Sequence, residues 1–292
     1  MASFEDRFCW SRDGVRLTWR DYAGAAGRPA VVCLHGLTRN ARDFEEVAAR
    51  VQALGWRVVA VSLRGRGDSG YAKDPMTYVP LTYAQDLDLL LRAAGVERMV
   101  LIGTSLGGIL TMLLGTTHRE QVAGALLNDI GPDLEAAGLE KIKGYVGKGG
   151  SWPSWLLAAR ALRERFADVF PSWQEADWLR HAKRLCRVAA NGRIVFDYDP
   201  RIAEPFRAPG GEKPGVDLWP TLSAFEGVPV TSVRGSRSDL FSAATQARMA
   251  GRLPHLDVVE VPDVGHAPTL EEPEAWAAIE RLLARVGEAV AA

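Results

Sequence analysis

Ser105 stands in Gly103-Thr104-Ser105-Leu106-Gly107, a G-x-S-x-G pattern with the apolar run Met99 to Ile102 before it and Ile109 to Leu114 after it. A buried strand, a tight turn with serine at its apex and a departing helix form the setting in which such a serine is a nucleophile. The flanking glycines suit the turn, because side chains there would block close backbone approach. In a chain this rich in glycine the pattern also arises by accident, so it needs a base, an acid and an oxyanion site. Imidazole is the usual base for a hydroxyl near neutral pH. Of the five histidines, His118 ends a helix, His181 lies within one, and His255 precedes a strand at its wrong end. His35 follows a strand but fits the oxyanion loop better. His266 sits just past the last strand, in Asp263-Val264-Gly265-His266-Ala267-Pro268, and is the expected base.

The base needs a carboxylate to fix its tautomer and stabilise its charged form. Asp239, in Arg234-Gly235-Ser236-Arg237-Ser238-Asp239, follows a strand and gives the chain order Ser, Asp, His, so it is the preferred acid. Asp129 also follows a strand and stands as its rival, with a capping or hinge role as the ordinary alternative. Asp263 is too close to His266 in sequence to face the ring from the required side. Oxyanion donors are expected from the backbone N–H groups of Leu106, at a helix N-terminus, and of Leu37, in the His35-Gly36-Leu37 loop.

One pattern points elsewhere. Gly65-Arg66-Gly67-Asp68-Ser69-Gly70 matches G-x-G-x-x-G after a strand. It is followed by Tyr71 to Pro80 with two prolines, so no helix N-terminus opens there to receive a pyrophosphate. Nucleotide binding is not expected, and the embedded Arg-Gly-Asp-Ser reads as a chance match.

The elements that must position these groups alternate. Phe4 to Trp10 and Val15 to Asp21 read as a hairpin turned at Asp13-Gly14. Strands are expected at Ala30 to Leu34, Arg57 to Leu63, Met99 to Ile102, Val122 to Leu127, Val228 to Val233 and Leu256 to Val261. Helices are expected over Asp43 to Leu54, Leu81 to Ala94, Ala243 to Arg252 and Glu272 to Val286. That rhythm means a mostly parallel α/β sheet covered on both faces, with functional groups gathered at the carboxyl ends of its strands. From Gly131 to Pro220 the rhythm breaks. Leu134 to Val146, Trp155 to Phe170 and Trp173 to Ala190 have helical spacing, Asn191-Gly192 offers a turn, and Arg201 to Gly215 is rich in Pro and Gly. The expected organisation is therefore a core from 1–130 and 221–292, interrupted by a helical cap over 131–220.

Composition sets the outer bounds. The chain has 292 residues, 47% hydrophobic and 24% charged, with a formal net charge of -1, which is ordinary for one large globular unit. Near-neutral charge without a basic cluster argues against nucleic acid or an anionic membrane as partner. No run approaches a membrane span, and Met-Ala-Ser-Phe-Glu-Asp-Arg-Phe has no apolar signal region. The three cysteines, Cys9, Cys33 and Cys186, are scattered, which fits a cytoplasmic protein without disulfides or a metal site.

His35-Gly36, Arg64-Gly65-Arg66-Gly67-Asp68-Ser69, the serine elbow, the post-strand Asp239 and Gly265-His266 together resemble the α/β-hydrolase superfamily over essentially the whole chain. Within it the chain is similar to capped bacterial esterase and lactonase-type hydrolases, with Leu126-Leu127-Asn128-Asp129-Ile130-Gly131-Pro132 leading into the cap. It departs from many relatives at Ser62, where they carry a structural Asp. Haloalkane dehalogenases and epoxide hydrolases of this fold have Asp at the elbow, so Ser105 directs the chemistry to an acyl carbon. The resemblance implies attack by Ser105, protonation of the leaving alkoxide by His266, and release of the acid by water, with no metal or organic cofactor. The expected substrate is a small ester or lactone. Two alternatives share the fold: a hydrolase of carbon–carbon bonds in ring-cleavage products, and a non-catalytic ligand-binding protein. For substrate contacts the candidates are His35, Gly36, Arg39, Trp152 and Trp155. Arg39 would meet a substrate carboxylate, unless it takes the more ordinary solvated or salt-bridged role.

Overall fold

The apolar runs are short and nearly unbroken, so each can be buried on both faces of a sheet only if amphipathic helices cover both sides. A computed structural model of the chain describes residues 3–208 and 217–291, with no side-chain environment for 290 and 291. It opens with the antiparallel pair β1 (Glu5–Trp10) and β2 (Arg16–Tyr22), turned at Gly14 with φ +76°. Next come β3 (Ala30–Leu34), α1 (Glu45–Ala53), β4 (Val58–Ser62) and α2 (Pro80–Ala93). The elbow joins β5 (Met99–Thr104) to α3 (Leu106–Thr117), and β6 (Val122–Asn128) follows.

Between β6 and the next strand of the main sheet the chain makes α4 (Ala136–Tyr145), β7 (Ser151–Trp152), α5 (Trp155–Phe166) and α6 (Glu175–Leu185). It continues through β8 (Cys186–Val188), β9 (Ile194–Phe196) and the short α7 (Glu204–Arg207). The core then resumes with β10 (Val230–Gly235), α8 (Ala243–Arg252), β11 (Asp257–Val261) and α9 (Pro273–Ala291).

The eight-stranded sheet has the order β1-β2-β4-β3-β5-β6-β10-β11. Pairing is antiparallel through β2 and parallel from β4 onward. Every residue of β3, β4 and β6 is buried. One face carries Leu87 and Leu90 of α2 with Leu110 and Leu114 of α3. The other carries Val47 and Val51 of α1 with Ile279 and Leu282 of α9. Among the described residues no helix is long and apolar enough to cross a membrane.

The segment between β6 and β10 corrects one expectation. The helical spacing read from Trp173 to Ala190 ends at Leu185, and the chain turns into β8. Gly192, at φ +76°, turns β8 back into β9, and β7 adds to the other edge of β9. The segment is thus helices plus a three-stranded antiparallel sheet. Strands of two or three residues are too short to show alternation, which is why the spacing alone extended the helix through them. The part of the Pro- and Gly-rich stretch from 209 to 216 lies outside the described residues.

Candidate active site

The elbow is held by close backbone approach. Ser105 sits at φ 53° and ψ −117° between β5 and α3, a conformation that costs a residue with a side chain about 1–3 kcal/mol. A Cβ on Gly103 would lie 2.3 Å from the Gly107 carbonyl oxygen, and one on Gly107 would lie 1.9 Å from that of Leu34. Both glycines are therefore required by space. The Ser105 N–H donates to the Asn128 carbonyl at 3.0 Å, tying the elbow to the end of β6.

His266 faces the serine. Its Nε2 is 2.8 Å from Ser105 Oγ and its Nδ1 is 2.7 Å from Asp129 Oδ2. Asp129 is fully buried at the end of β6, with φ 54°. Its carboxylate also accepts from the Gly235 N–H at 2.8 Å and from Ser238 Oγ at 2.6 Å. The loop bearing the imidazole is anchored because Asn128 Nδ2 donates to the Pro268 carbonyl at 2.8 Å.

The acid assignment is thereby corrected. Asp239 does not touch His266; its carboxylate is 38% exposed and pairs with Lys141 at 3.0 Å. The cause is local. Asp239 lies four residues beyond the end of β10, in a loop drawn toward α4 by the Glu135 N–H to Leu240 carbonyl bond at 2.9 Å. From that loop it is Ser238 that reaches back, and it reaches Asp129.

His35 is not a substrate contact either. It is fully buried, with Nδ1 2.7 Å from the Gly36 carbonyl oxygen and Nε2 3.0 Å from the Leu63 nitrogen. A neutral ring satisfies both when Nδ1–H donates and Nε2 accepts the Leu63 N–H. The Gly36 carbonyl is thus held to one side, and in a trans peptide the Leu37 N–H points to the other. Leu37 lines the cavity beside Ser105, and its carbonyl accepts from Arg66 Nε at 2.9 Å.

The Gly65 to Gly70 stretch has this same buttressing role. Arg64 is clamped by Asp86 and Asp13, Arg66 holds Leu37 and the Tyr83 hydroxyl, and Ser69 bonds the Ser62 carbonyl. Ser62, the departure noted in the sequence, accepts the Ala41 N–H through its hydroxyl at 3.2 Å.

The buried imidazoles give a pH signature. Burial pushes His35 down to about 3 and His181 well below its ordinary value. The folded chain leaves His35 unprotonated at pH 5 and disfavours the charged form of His181, while the unfolded chain protonates both below about 6.5. Stability therefore falls as pH drops from about 6.5 toward 3, by about 2 kcal/mol from His35 between pH 7 and pH 5, and His181 acts in the same direction. Urea unfolding of His35→Gln should show about one such share less of acid sensitivity than the wild type.

A cavity of about 100 Å³ opens over Ser105 and His266, floored by Gly36 and Leu37. Arg39 lines it but is committed, with Nε 2.8 Å from Asp43 and Nη1 3.0 Å from His181 Nε2. Trp152 and Trp155 do not line it. Trp152 packs edge-on against Phe196, with ring centroids 5.2 Å apart, and Trp155 packs on the apolar cluster around α5 and α6. The aromatic walls are Phe44, Tyr145, Phe166, Phe170, Phe196 and Tyr198. Sequence spacing places His181 on a helix without connecting it to the site. Its position on the strongly amphipathic α6, on the face that carries Trp178 and Ala182 inward, was the available signal.

An elbow serine at the carboxyl end of a mostly parallel sheet, bonded to an imidazole from the loop after the last strand, defines an α/β-hydrolase architecture. A family model described as the alpha/beta hydrolase family matches residues 31–279, and the chain belongs to that family. It is 35% identical over 275 residues to a 3-hydroxybutyrate-oligomer hydrolase of Cupriavidus necator, covering 91% of this chain and 92% of that protein. It is 27% identical over 249 residues to the 2-(acetamidomethylene)succinate hydrolase of Mesorhizobium japonicum, covering 84% of each. Among solved structures, an alpha/beta hydrolase from Novosphingobium aromaticivorans superposes with a TM-score of 0.92 at 54% identity, covering 98% of this chain and 99% of that one.

Proposed function

We propose that the protein is a serine hydrolase that cleaves a short carboxylic ester through an acyl-enzyme. The observation that carries this reading is the continuous hydrogen-bonded line from Ser105 Oγ through His266 to Asp129, 2.8 Å and 2.7 Å long. His266 takes the Ser105 proton as Oγ adds to the ester carbonyl, and Asp129 holds the ring with Nδ1–H toward the carboxylate. The N–H groups of Leu37 and Leu106 receive the developing oxyanion. Leu106, the first residue of α3, has no carbonyl one turn earlier to donate to, so its N–H is available. His266 then protonates the leaving alkoxide. In the second half it activates a water, which releases the acid and restores Ser105.

The segment between β6 and β10 acts as the cap. Tyr145, Phe166, Phe170 and Phe196 come from it and close the cavity, and their mostly apolar surface suits a small acyl group. An oligomer of a hydroxy acid is a chain of esters, so the resemblance to a 3-hydroxybutyrate-oligomer hydrolase supports the same bond class. A lactone is an internal ester and meets the same chemistry.

The test is a panel of short-chain esters, aryl esters, lactones and ring-opened dienoates, with Ser105→Ala as the blank. Turnover of short esters by the wild type alone is expected. Turnover confined to the dienoates would transfer the assignment to carbon–carbon cleavage, and no turnover on any member would overturn the enzyme reading.

A further inference from the structure

We infer that Arg165 is a recognition site for a free carboxylate on the substrate. The ester taken would then be an anionic one, a short hydroxy-acid oligoester with its terminal carboxyl unblocked. This rests on the hydrolase reading above and adds the substrate's charge to it.

Three arginines line the cavity, Arg39, Arg165 and Arg184. Two are neutralised by the protein. Arg39 is paired with Asp43, which lines the same cavity, and Arg184 is paired with Glu271. His181, between them, is held uncharged by burial. Arg165 differs. It stands in the last turn of α5, half-buried, and among the described residues its guanidinium has no ion pair and no hydrogen bond. It lies over the Phe196 ring, 5.6 Å from the centroid.

The lining therefore holds one positive charge in excess, in the same small space as Ser105 and His266. A cation beside aromatic rings interacts more strongly with an incoming anion than one in open water. The planar guanidinium fork matches a carboxylate with two parallel N–H donors. Its contact with Phe196 limits the positions it samples, so less side-chain freedom is lost when it binds. A neutral ester would leave that charge unanswered. In a hydroxy-acid dimer the acyl half goes to Ser105, and the leaving half carries a carboxylate within the same cavity. The ordinary alternative is that Arg165 is a solvated side chain at the rim, indifferent to substrate charge.

The experiment compares the linear dimer of 3-hydroxybutyrate with its methyl ester, which has the same shape without the charge. Binding to Ser105→Ala protein is measured by calorimetry, so that hydrolysis does not consume the ligands. The acid should bind about ten- to a hundred-fold more tightly than the methyl ester. Adding Arg165→Gln should bring that ratio close to one, Arg165→Lys should keep part of it, and Arg163→Gln, exposed on the same helix, should keep all of it. A ratio near one in the Ser105→Ala protein, a ratio unmoved by Arg165→Gln, or no binding of either compound would overturn the proposal. The hydrolase reading fails separately, by neutral-ester turnover that Ser105→Ala leaves intact.

Discussion

Asp129→Asn should lower kcat on a good ester by about ten-thousand-fold, whereas Asp239→Asn should change it by less than about threefold. The contrast follows from where the two carboxylates sit. Asp129 is fully buried and bonds His266 Nδ1 directly, at 2.7 Å. Asparagine keeps the shape, but its amide nitrogen can only donate toward the ring. That selects the tautomer with Nδ1 unprotonated, leaving Nε2–H facing Ser105 when the serine needs an acceptor. The Gly235 N–H favours that orientation, because it needs the amide oxygen at the Oδ1 position, while the Ser238 hydroxyl loses the Oδ2 acceptor it donates to in the wild type. Asp239 instead shares Lys141 with Asp168 in a partly exposed cluster, and such pairs contribute little. Steady-state kinetics of both variants, with far-UV circular dichroism to verify folding, check the prediction. Equal losses, or a larger one for Asp239→Asn, would return the acid role to the β10 loop.

Ser105→Ala should cost more, about a million-fold in kcat, with a residual rate about a thousand-fold above water. In the proposed mechanism the nucleophile is lost, but the Leu37 and Leu106 N–H groups assigned to the oxyanion remain in place with the cavity. The backbone should not collapse, because alanine tolerates φ 53° no worse than serine does, and the close contacts at Gly103 and Gly107 are untouched. A normal urea midpoint together with abolished turnover would separate chemistry from folding. Combining Ser105→Ala with His266→Ala should add almost nothing, since the two act on one step.

Much of this site was legible in the chain because its signals are local. The elbow combines a buried strand, two glycines forced by space and a helix, all within Met99 to Leu114, and His266 is the one histidine in the loop after the last strand. The strand positions were legible for the same reason, since β3, β4 and β6 are short apolar runs with no alternation to misread. The acid was not, because Asp129 and Asp239 both follow strands that neighbour each other in the sheet. What decides between them is the φ 54° turn at Asp129 and the pull of α4 on the β10 loop, neither written in residue spacing. His35 was placed in the correct loop, but its role depends on the Leu63 N–H arriving from another strand. The segment between β6 and β10 was the least legible part. Trp152 and Trp155 were the conspicuous aromatics there, yet Phe166, Phe170 and Phe196 face the cavity. Strands as short as β7, β8 and β9 exist only through their pairing with each other.

Ester cleavage by the proposed route requires that Ser105 become covalently acylated. A fluorophosphonate probe reads it directly, because it reacts with a serine only where a base activates the hydroxyl and donors hold the phosphoryl oxygen. Intact-mass measurement should show a single adduct, mapped to the peptide containing Ser105, absent from Ser105→Ala and formed far more slowly in His266→Ala. Protein that stays unlabelled, or an adduct that persists in Ser105→Ala, would mean that Ser105 is not the nucleophile.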